Sequence, residues 1–358
     1  MGEVFSIMEN TLLIEKLDKV ADELQNRGLY RLASDIDQVS NTLMKVSPDL
    51  GLVDIPKDDL IKTVLFSGGT QGDEMTGITL MGEIAKNPTI ASRPGVDLKL
   101  QLSNPAAIER CVHFIDEDLN DCFSMEDLTN PNQTKYEMKL AQSIFQNLGG
   151  KKGNVDLIVD FHNTTCNMGI TLIVSRLSPF MCKLVATLTH MYPDDLKILY
   201  TPEVQETSPY LDSLGKNGLT VEVGPLKHGP YLNKVSYAKT KRLASDIMDF
   251  VVNWNSGNIP KKGITVPVYR QVQTIEYMVD KTNMTRISDI NPELLGKDYS
   301  PINKGEILQY MLGTGEPIRY EGTETVYPVF IEEAAKSYRD PKYGDEAMDL
   351  TWLSHETW

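Results

Sequence analysis

Four cysteines in 358 residues, at positions 111, 122, 166 and 182, are too few and too irregularly spaced for a disulfide framework or a thiolate metal cluster. Reduced thiols in a cytoplasm-like compartment are the expectation. No apolar run approaches the ~20 residues needed to cross a bilayer. The first residues also lack the basic region and apolar stretch of a secretory signal. Basic residues are in deficit: 35 Lys and Arg stand against 50 Asp and Glu, a formal charge of −15. That balance argues against sequence-independent nucleic-acid binding and against attraction to an anionic membrane surface. Histidine is scarce as well, with only five in the chain, so each one near a motif matters.

Hydrophobic residues make up 41% of the chain, enough for a packed core, and the length suits about two domains plus an extension. Leu13, Leu17, Val20, Ala21 and Leu24 recur at helical spacing; Gly28 interrupts them; Leu29, Leu32, Ala33, Ile36, Val39 and Leu43 resume it. Residues 1–46 therefore read as a helical hairpin extension. Two amphipathic helices this short must pack on the body, on a second copy or on a partner. Residues 47–61, with Pro48, Gly51 and Pro56, read as a linker.

A second texture begins at Thr63. Val64-Leu65-Phe66 runs into Gly68-Gly69, a buried strand entering a glycine turn. Thr79 to Lys86 looks helical, 96–102 extended, and Tyr136 to Leu148 a strongly amphipathic helix. Val155 to Phe161 is the clearest buried strand. Strands alternating with helices predict an α/β domain over 62–257 with a mostly parallel sheet. From 258 to 335 the alternation becomes β-like, predicting a smaller β-rich domain. The polar, acidic residues 336–358 read as a tail running over the surface.

Four segments gather polar residues at predicted strand ends: 68–77, 116–120, 160–165 and 221–225. Ligands of open α/β sheets bind outside the carboxyl ends of strands. Glu74, His162 and Glu222 arriving at one edge could hold a metal ion and deprotonate its water. On spacing alone, a lone histidine after a strand is more often a structural hydrogen-bonder than a ligand.

These segments resemble the aspartoacylase and aminoacylase-3 family of zinc carboxypeptidase-like deacylases. The resemblance rests on Gly68-Gly69-Thr70, Asn104-Pro105, Asp118-Leu119-Asn120, His162-Asn163-Thr164-Thr165, Glu222-Val223-Gly224-Pro225 and Thr325-Val326-Tyr327-Pro328-Val329-Phe330, in family order from about residue 62 to 335. It implies a mixed, mostly parallel sheet flanked by helices and followed by a β-rich domain. It also implies zinc ligands at Gln71, Glu74 and His162, a general base at Glu222, and substrate contacts from Asn120 and Tyr327. Family members form oligomers, so a homo-oligomer is expected.

The chain departs from the pattern at three places. A zinc-ligating histidine is replaced by Gln71, whose neutral amide oxygen suits harder ions better than an imidazole nitrogen does. Two substrate-gripping arginines are replaced by His113 and Asp121; a forked guanidinium grips a carboxylate, whereas an aspartate repels it. His113 and His228 also fall inside motif segments, as polar loop residues or displaced ligands. Two expectations follow. One is a pseudoenzyme, the deacylase fold serving as a structural or binding module, with residues 9–45 docking it into an assembly such as a phage virion, whose proteins carry similar helices. The other is an amidohydrolase using zinc or another divalent metal on a neutral or cationic acyl-amide.

Overall fold

The computed structural model describes Val20 and residues 52–151, 153–283, 285–338 and 346–358. Apart from Val20, the helical hairpin expected over residues 9–45 lies outside the described residues. The chain falls into two compact units, one comprising Lys57–Val252 with Ile264–Trp358 and the other taking in Asn253–Gly263 with the segment before Lys57. In the smaller unit the Val53 amide donates to the Ile259 carbonyl at 2.8 Å.

The larger unit is organised by a nine-stranded sheet. Its strands are β1 (Thr63–Gly68), β2 (Asp97–Leu102), β3 (Leu157–Asn163), β4 (Ile170–Val174), β5 (Leu196–Tyr200), β6 (Asn217–Val223), β7 (Thr265–Glu276), β13 (Tyr327–Val329) and β14 (Glu346–Thr357). The order is β13-β14-β7-β5-β4-β6-β3-β1-β2. Strands β2, β1, β3 and β6 run parallel, as do β4, β5 and β7, and the two blocks meet antiparallel at β4 and β6. Every residue of β3 is buried, as expected for a strand covered on both faces. Helices α1 (Met75–Lys86), α2 (Pro105–Arg110), α3 (Met125–Thr129), α4 (Tyr136–Leu148), α5 (Pro179–Met191) and α6 (Lys234–Asn255) connect the strands. None of the described helices is long and apolar enough to cross a membrane. The apolar face of α4, through Ala141, Ile144 and Leu148, packs with Leu65, Phe123 and Ile158.

The β-rich region after α6 carries β8 (Val279–Asp280) paired with β9 (Thr285–Arg286), and a three-stranded antiparallel sheet of β10 (Ser288–Ile290), β11 (Ile307–Met311) and β12 (Pro317–Arg319). The reading of residues 336–358 as a surface tail requires correction. Glu346–Thr357 is a twelve-residue strand, β14, lying between β13 and β7 in the main sheet. Ala347, Met348 and Leu350 enter a core with Tyr277, Ile302 and Val326. Its outer half exposes Trp352 and carries polar residues, which gives it the texture of a tail.

Long-range ties brace both ends of the sheet. At one end, Asp156 accepts the amides of Lys62 and Thr63 at 2.8 and 2.9 Å and the Lys216 ammonium at 2.7 Å, joining the starts of β1, β3 and β6. Buried Glu137 on α4 accepts the amides of Ile115, Asp116 and Glu117 and the side chain of Asn104. One carboxylate thereby sets the loop that carries His113 and Asp118.

Candidate metal centre

The site lies at the carboxyl ends of β1, β3 and β6. After β1 the chain turns through Gly68-Gly69 and then tightly at Gly72, whose position leaves no room for a side chain: an added Cβ would sit 2.1 Å from the Ala107 carbonyl carbon. The turn is closed by the Glu74 amide donating to the Gln71 carbonyl at 3.4 Å, and Gly72 donates to the His113 carbonyl at 3.1 Å. Gln71 and Glu74 thus leave one turn at the head of α1.

Strand register does the rest. His162 and Glu222 are direct partners across β3 and β6, and Thr171 of β4 pairs with Glu222 from the other side. Side chains of paired residues project to the same face, so the imidazole and the carboxylate stand side by side. Gln71 and Glu74 on the turn after β1, His162 at the end of β3 and Glu222 at the end of β6 all lie along this edge.

Glu74 is buried; its Oε2 accepts the Asn163 amide at 2.9 Å and lies 3.2 Å from His162 Nδ1. Two donors on one tetrahedral zinc ion are separated by about 3.3 Å, given bonds of ~2.0–2.1 Å. The observed spacing fits shared ligation. His162 Nε2 is held by Asp160 Oδ2 at 2.8 Å, and Asp160 also accepts the Thr70 hydroxyl. A carboxylate behind the imidazole fixes the ring and leaves Nδ1 for a cation. Burial disfavours the imidazolium, but Asp160 and then Glu74 outweigh it and raise the His162 pKa well above the ordinary value.

Gln71 supplies the sharpest test of whether this donor set fits an ion. Its Nε2 donates to Asp118 Oδ1 at 2.7 Å, which orients the amide, while its buried Oε1 has no hydrogen-bond partner. A buried acceptor left unmade costs about 1–3 kcal/mol, and a cation would satisfy it. Glu222 Oε2 is likewise sealed from solvent and without a partner. Burial pushes the Glu222 pKa up to about 8; the carboxylates of Glu74 and Glu333 add to the rise and His162 opposes it. A cation among these carboxylates would reverse that logic and favour the ionised form.

The remaining residues are placed as follows. Asn120 accepts the Leu211 amide at 3.3 Å through Oδ1, linking its turn to the segment before β6. Asp121 follows on the same turn, half-buried. Tyr327 meets the site indirectly: its ring packs edge-on against Tyr269, 5.6 Å between centroids, and Tyr269 packs on Tyr299. The Tyr299 hydroxyl lies 2.9 Å from the Thr171 hydroxyl, beside Glu222 in the sheet. His113 Nδ1 lies 2.9 Å from Asp73 Oδ1, and the His113 and His228 rings are 5.1 Å apart. His228 Nε2 is 3.9 Å from Glu74 Oε1.

Sequence reasoning missed four carboxylates around these residues: Asp73, Asp118, Asp160 and Glu333. Asp73 and Asp160 stood next to motif residues and could have been found there. Glu333 could not, because it reaches the site from 169 residues beyond Thr164, whose hydroxyl it accepts together with that of Thr165.

Family models, curated relatives and solved structures match this chain. Residues 60–251 match the succinylglutamate desuccinylase/aspartoacylase catalytic domain, and 265–339 match the associated barrel-sandwich hybrid domain. A probable aspartoacylase of Nostoc sp. is 38% identical over 277 residues, covering 77% of this chain and 92% of that protein. The human N-acyl-aromatic-L-amino acid amidohydrolase is 32% identical, covering 78% and 88%. The crystal structure of murine aminoacylase 3 superposes with a TM-score of 0.74 at 28% identity, covering 83% of this chain and 97% of that one. The chain belongs to the succinylglutamate desuccinylase/aspartoacylase family.

Proposed function

We propose that this protein is a metal-dependent amidohydrolase that cleaves neutral or cationic N-acyl amides. The observation that carries the reading is the pair of buried, unpartnered acceptors, Gln71 Oε1 and Glu222 Oε2, on the same turn and strand pair that carry the Glu74–His162 contact of 3.2 Å. A site that had merely decayed would gain stability by pairing or losing such groups.

Gln71, Glu74 and His162 would hold the ion, with Asp160 and Asp118 orienting His162 and Gln71. A divalent ion there supplies polarisation of the amide carbonyl and acidification of water. Glu222 Oε2 takes the proton and carries it to the departing amine. Asn120 ties its turn to the segment before β6, and Glu137 fixes the loop beside the site. Its charge sets the substrate class. Asp73, Glu74, Asp118, Asp160, Glu222 and Glu333 gather around the site, and the resemblance puts Asp121 where the family pattern has an arginine. A substrate carboxylate meets repulsion there instead of a guanidinium fork.

The test is a panel of N-acetylated amino acids and amides with acidic, neutral, aromatic and basic side chains or blocked carboxyls. Turnover is expected on neutral or basic members, abolished by a chelator and restored by zinc or manganese. Preference for acidic N-acyl amino acids would contradict the substrate assignment. A second reading, a binding module that has left catalysis, is favoured by the ion pairs His162–Glu74 and His113–Asp73, which balance charge in the site without a metal. It predicts no turnover on any member and a partner held by residues 9–45.

A further inference from the structure

Beside the expected ligand set stands a second group of donors. Asp73, His113 and His228 each present one ligating atom, and the three atoms lie within 4.8 Å of one another. Donors on one ion with ~2.1 Å bonds lie about 3.3–4.2 Å apart, near the spacing of this group, in which His113 Nδ1 and Asp73 Oδ1 stand 2.9 Å apart. The three residues come from separate segments held rigidly together. The Gly229 amide donates to the Asp73 carbonyl at 2.9 Å, and Gly229 forms a parallel bridge with Glu74, which seats the 225–229 loop on the Gln71–Glu74 turn. The Gly72 amide ties the same turn to the His113 carbonyl.

Glu74 faces both groups. Its Oε2 lies 3.2 Å from His162 Nδ1 and its Oε1 lies 3.9 Å from His228 Nε2. One carboxylate with an imidazole on each oxygen is the arrangement of a bridging ligand, and paired ions in hydrolases sit ~3.5–4 Å apart. The six carboxylates around the site would hold two divalent charges with less repulsion than an ordinary pocket.

We propose that Asp73, His113 and His228 form a second divalent-cation site, bridged by Glu74 to the ion held by Gln71 and His162. It rests on the functional reading only through Glu74. Mixed imidazole and carboxylate donors suit zinc, cobalt or manganese rather than calcium. In such a centre the second ion would take the place of the missing positive charges at the position where Arg is replaced by His113. The histidine is then a ligand and not merely a lost guanidinium.

The experiment is calorimetric titration of the metal-free full chain with cobalt(II), with ions per chain counted by elemental analysis after dialysis. Parent, His228→Ala, Asp73→Asn and His162→Ala are compared, each with its metal-free Tm recorded. Two ions are expected in the parent and one in each variant. The conservative Asp73→Asn keeps the test readable should His228→Ala fold poorly. A single ion lost in His162→Ala but kept in His228→Ala and Asp73→Asn overturns the second site and leaves the amidohydrolase reading standing. A single ion lost only in the latter two variants supports the new site and sinks the first. A single ion lost in all variants, or no ion in the parent, overturns the proposal.

Discussion

Glu222→Gln is expected to lower kcat/KM on the best neutral substrate by about 10²–10⁴-fold, the range lost when a general base is removed. Metal affinity is expected to stay within about threefold, a change worth ~0.65 kcal/mol. The split follows from geometry. Glu222 stands beside His162 by strand register and contributes no donor to the Gln71–Glu74–His162 set. The amide is isosteric, and it removes a carboxylate whose burial already holds its pKa near about 8 in the absence of a cation. The metal-free variant should therefore be at least as stable as the parent at pH 8, where the parent must bury part of a charge. A carboxyl whose folded pKa exceeds its unfolded value contributes stability below the unfolded pKa, and that contribution is lost as pH rises through about 8. Kinetics and thermal melts at pH 5 and 8 read both effects. Unchanged turnover in Glu222→Gln would remove it from the mechanism.

Gly72→Ala is expected to destabilise the protein by about 3–5 kcal/mol, lowering Tm by on the order of 10 °C. The new Cβ would lie 2.1 Å from the Ala107 carbonyl carbon and 2.3 Å from the Ile108 nitrogen, both backbone atoms of α2 that cannot swing aside. Relief requires the Gln71–Glu74 turn to lift from α2, so metal binding should fall with stability. Gly82→Ala supplies the control. Gly82 lies within α1 and an added Cβ meets nothing within 4 Å. Replacement there should stabilise by about 0.5–1 kcal/mol, because alanine loses less entropy in a helix. Equal effects at the two positions, measured by chemical denaturation, would show that the turn is not sterically locked.

These predictions draw on parts of the molecule that were unequally legible in the sequence. The strands Thr63–Gly68 and Leu157–Asn163 and the helix Tyr136–Leu148 were legible because burial on two faces or on one stripe leaves a local apolar pattern. The last strand was not, because an edge-adjacent strand with a half-exposed outer segment, Trp352 to Thr357, carries the polarity of a tail. Its partner Thr265–Glu276 lies about eighty residues upstream, a pairing that local pattern does not encode.

The site divides in the same way. Glu74, His162 and Glu222 were visible as polar residues at strand ends, where the α/β architecture puts ligands. Their supports were not visible. Asp118 holds Gln71 across 47 residues and Asp73 meets His113 across 40. Such contacts depend on three-dimensional closure of loops around α2 and α4. In one dimension the replacements at positions 71, 113 and 121 read as departures from the pattern, with His113 left open as a polar loop residue or a displaced ligand. In three dimensions Gln71 keeps an oriented, unsatisfied oxygen, and His113 lands within a ring contact of His228.

The account turns on whether the altered site holds a cation. The most direct measurement is the metal content of the purified, dialysed protein beside Glu74→Ala and Gln71→His. The predicted result is at least one divalent ion per chain in the parent, none in Glu74→Ala, and zinc bound more tightly by tenfold or more in Gln71→His, where an imidazole replaces an amide oxygen. A parent devoid of metal at micromolar free zinc, with zinc appearing only in Gln71→His, would contradict it and place the loss of function at that one ligand.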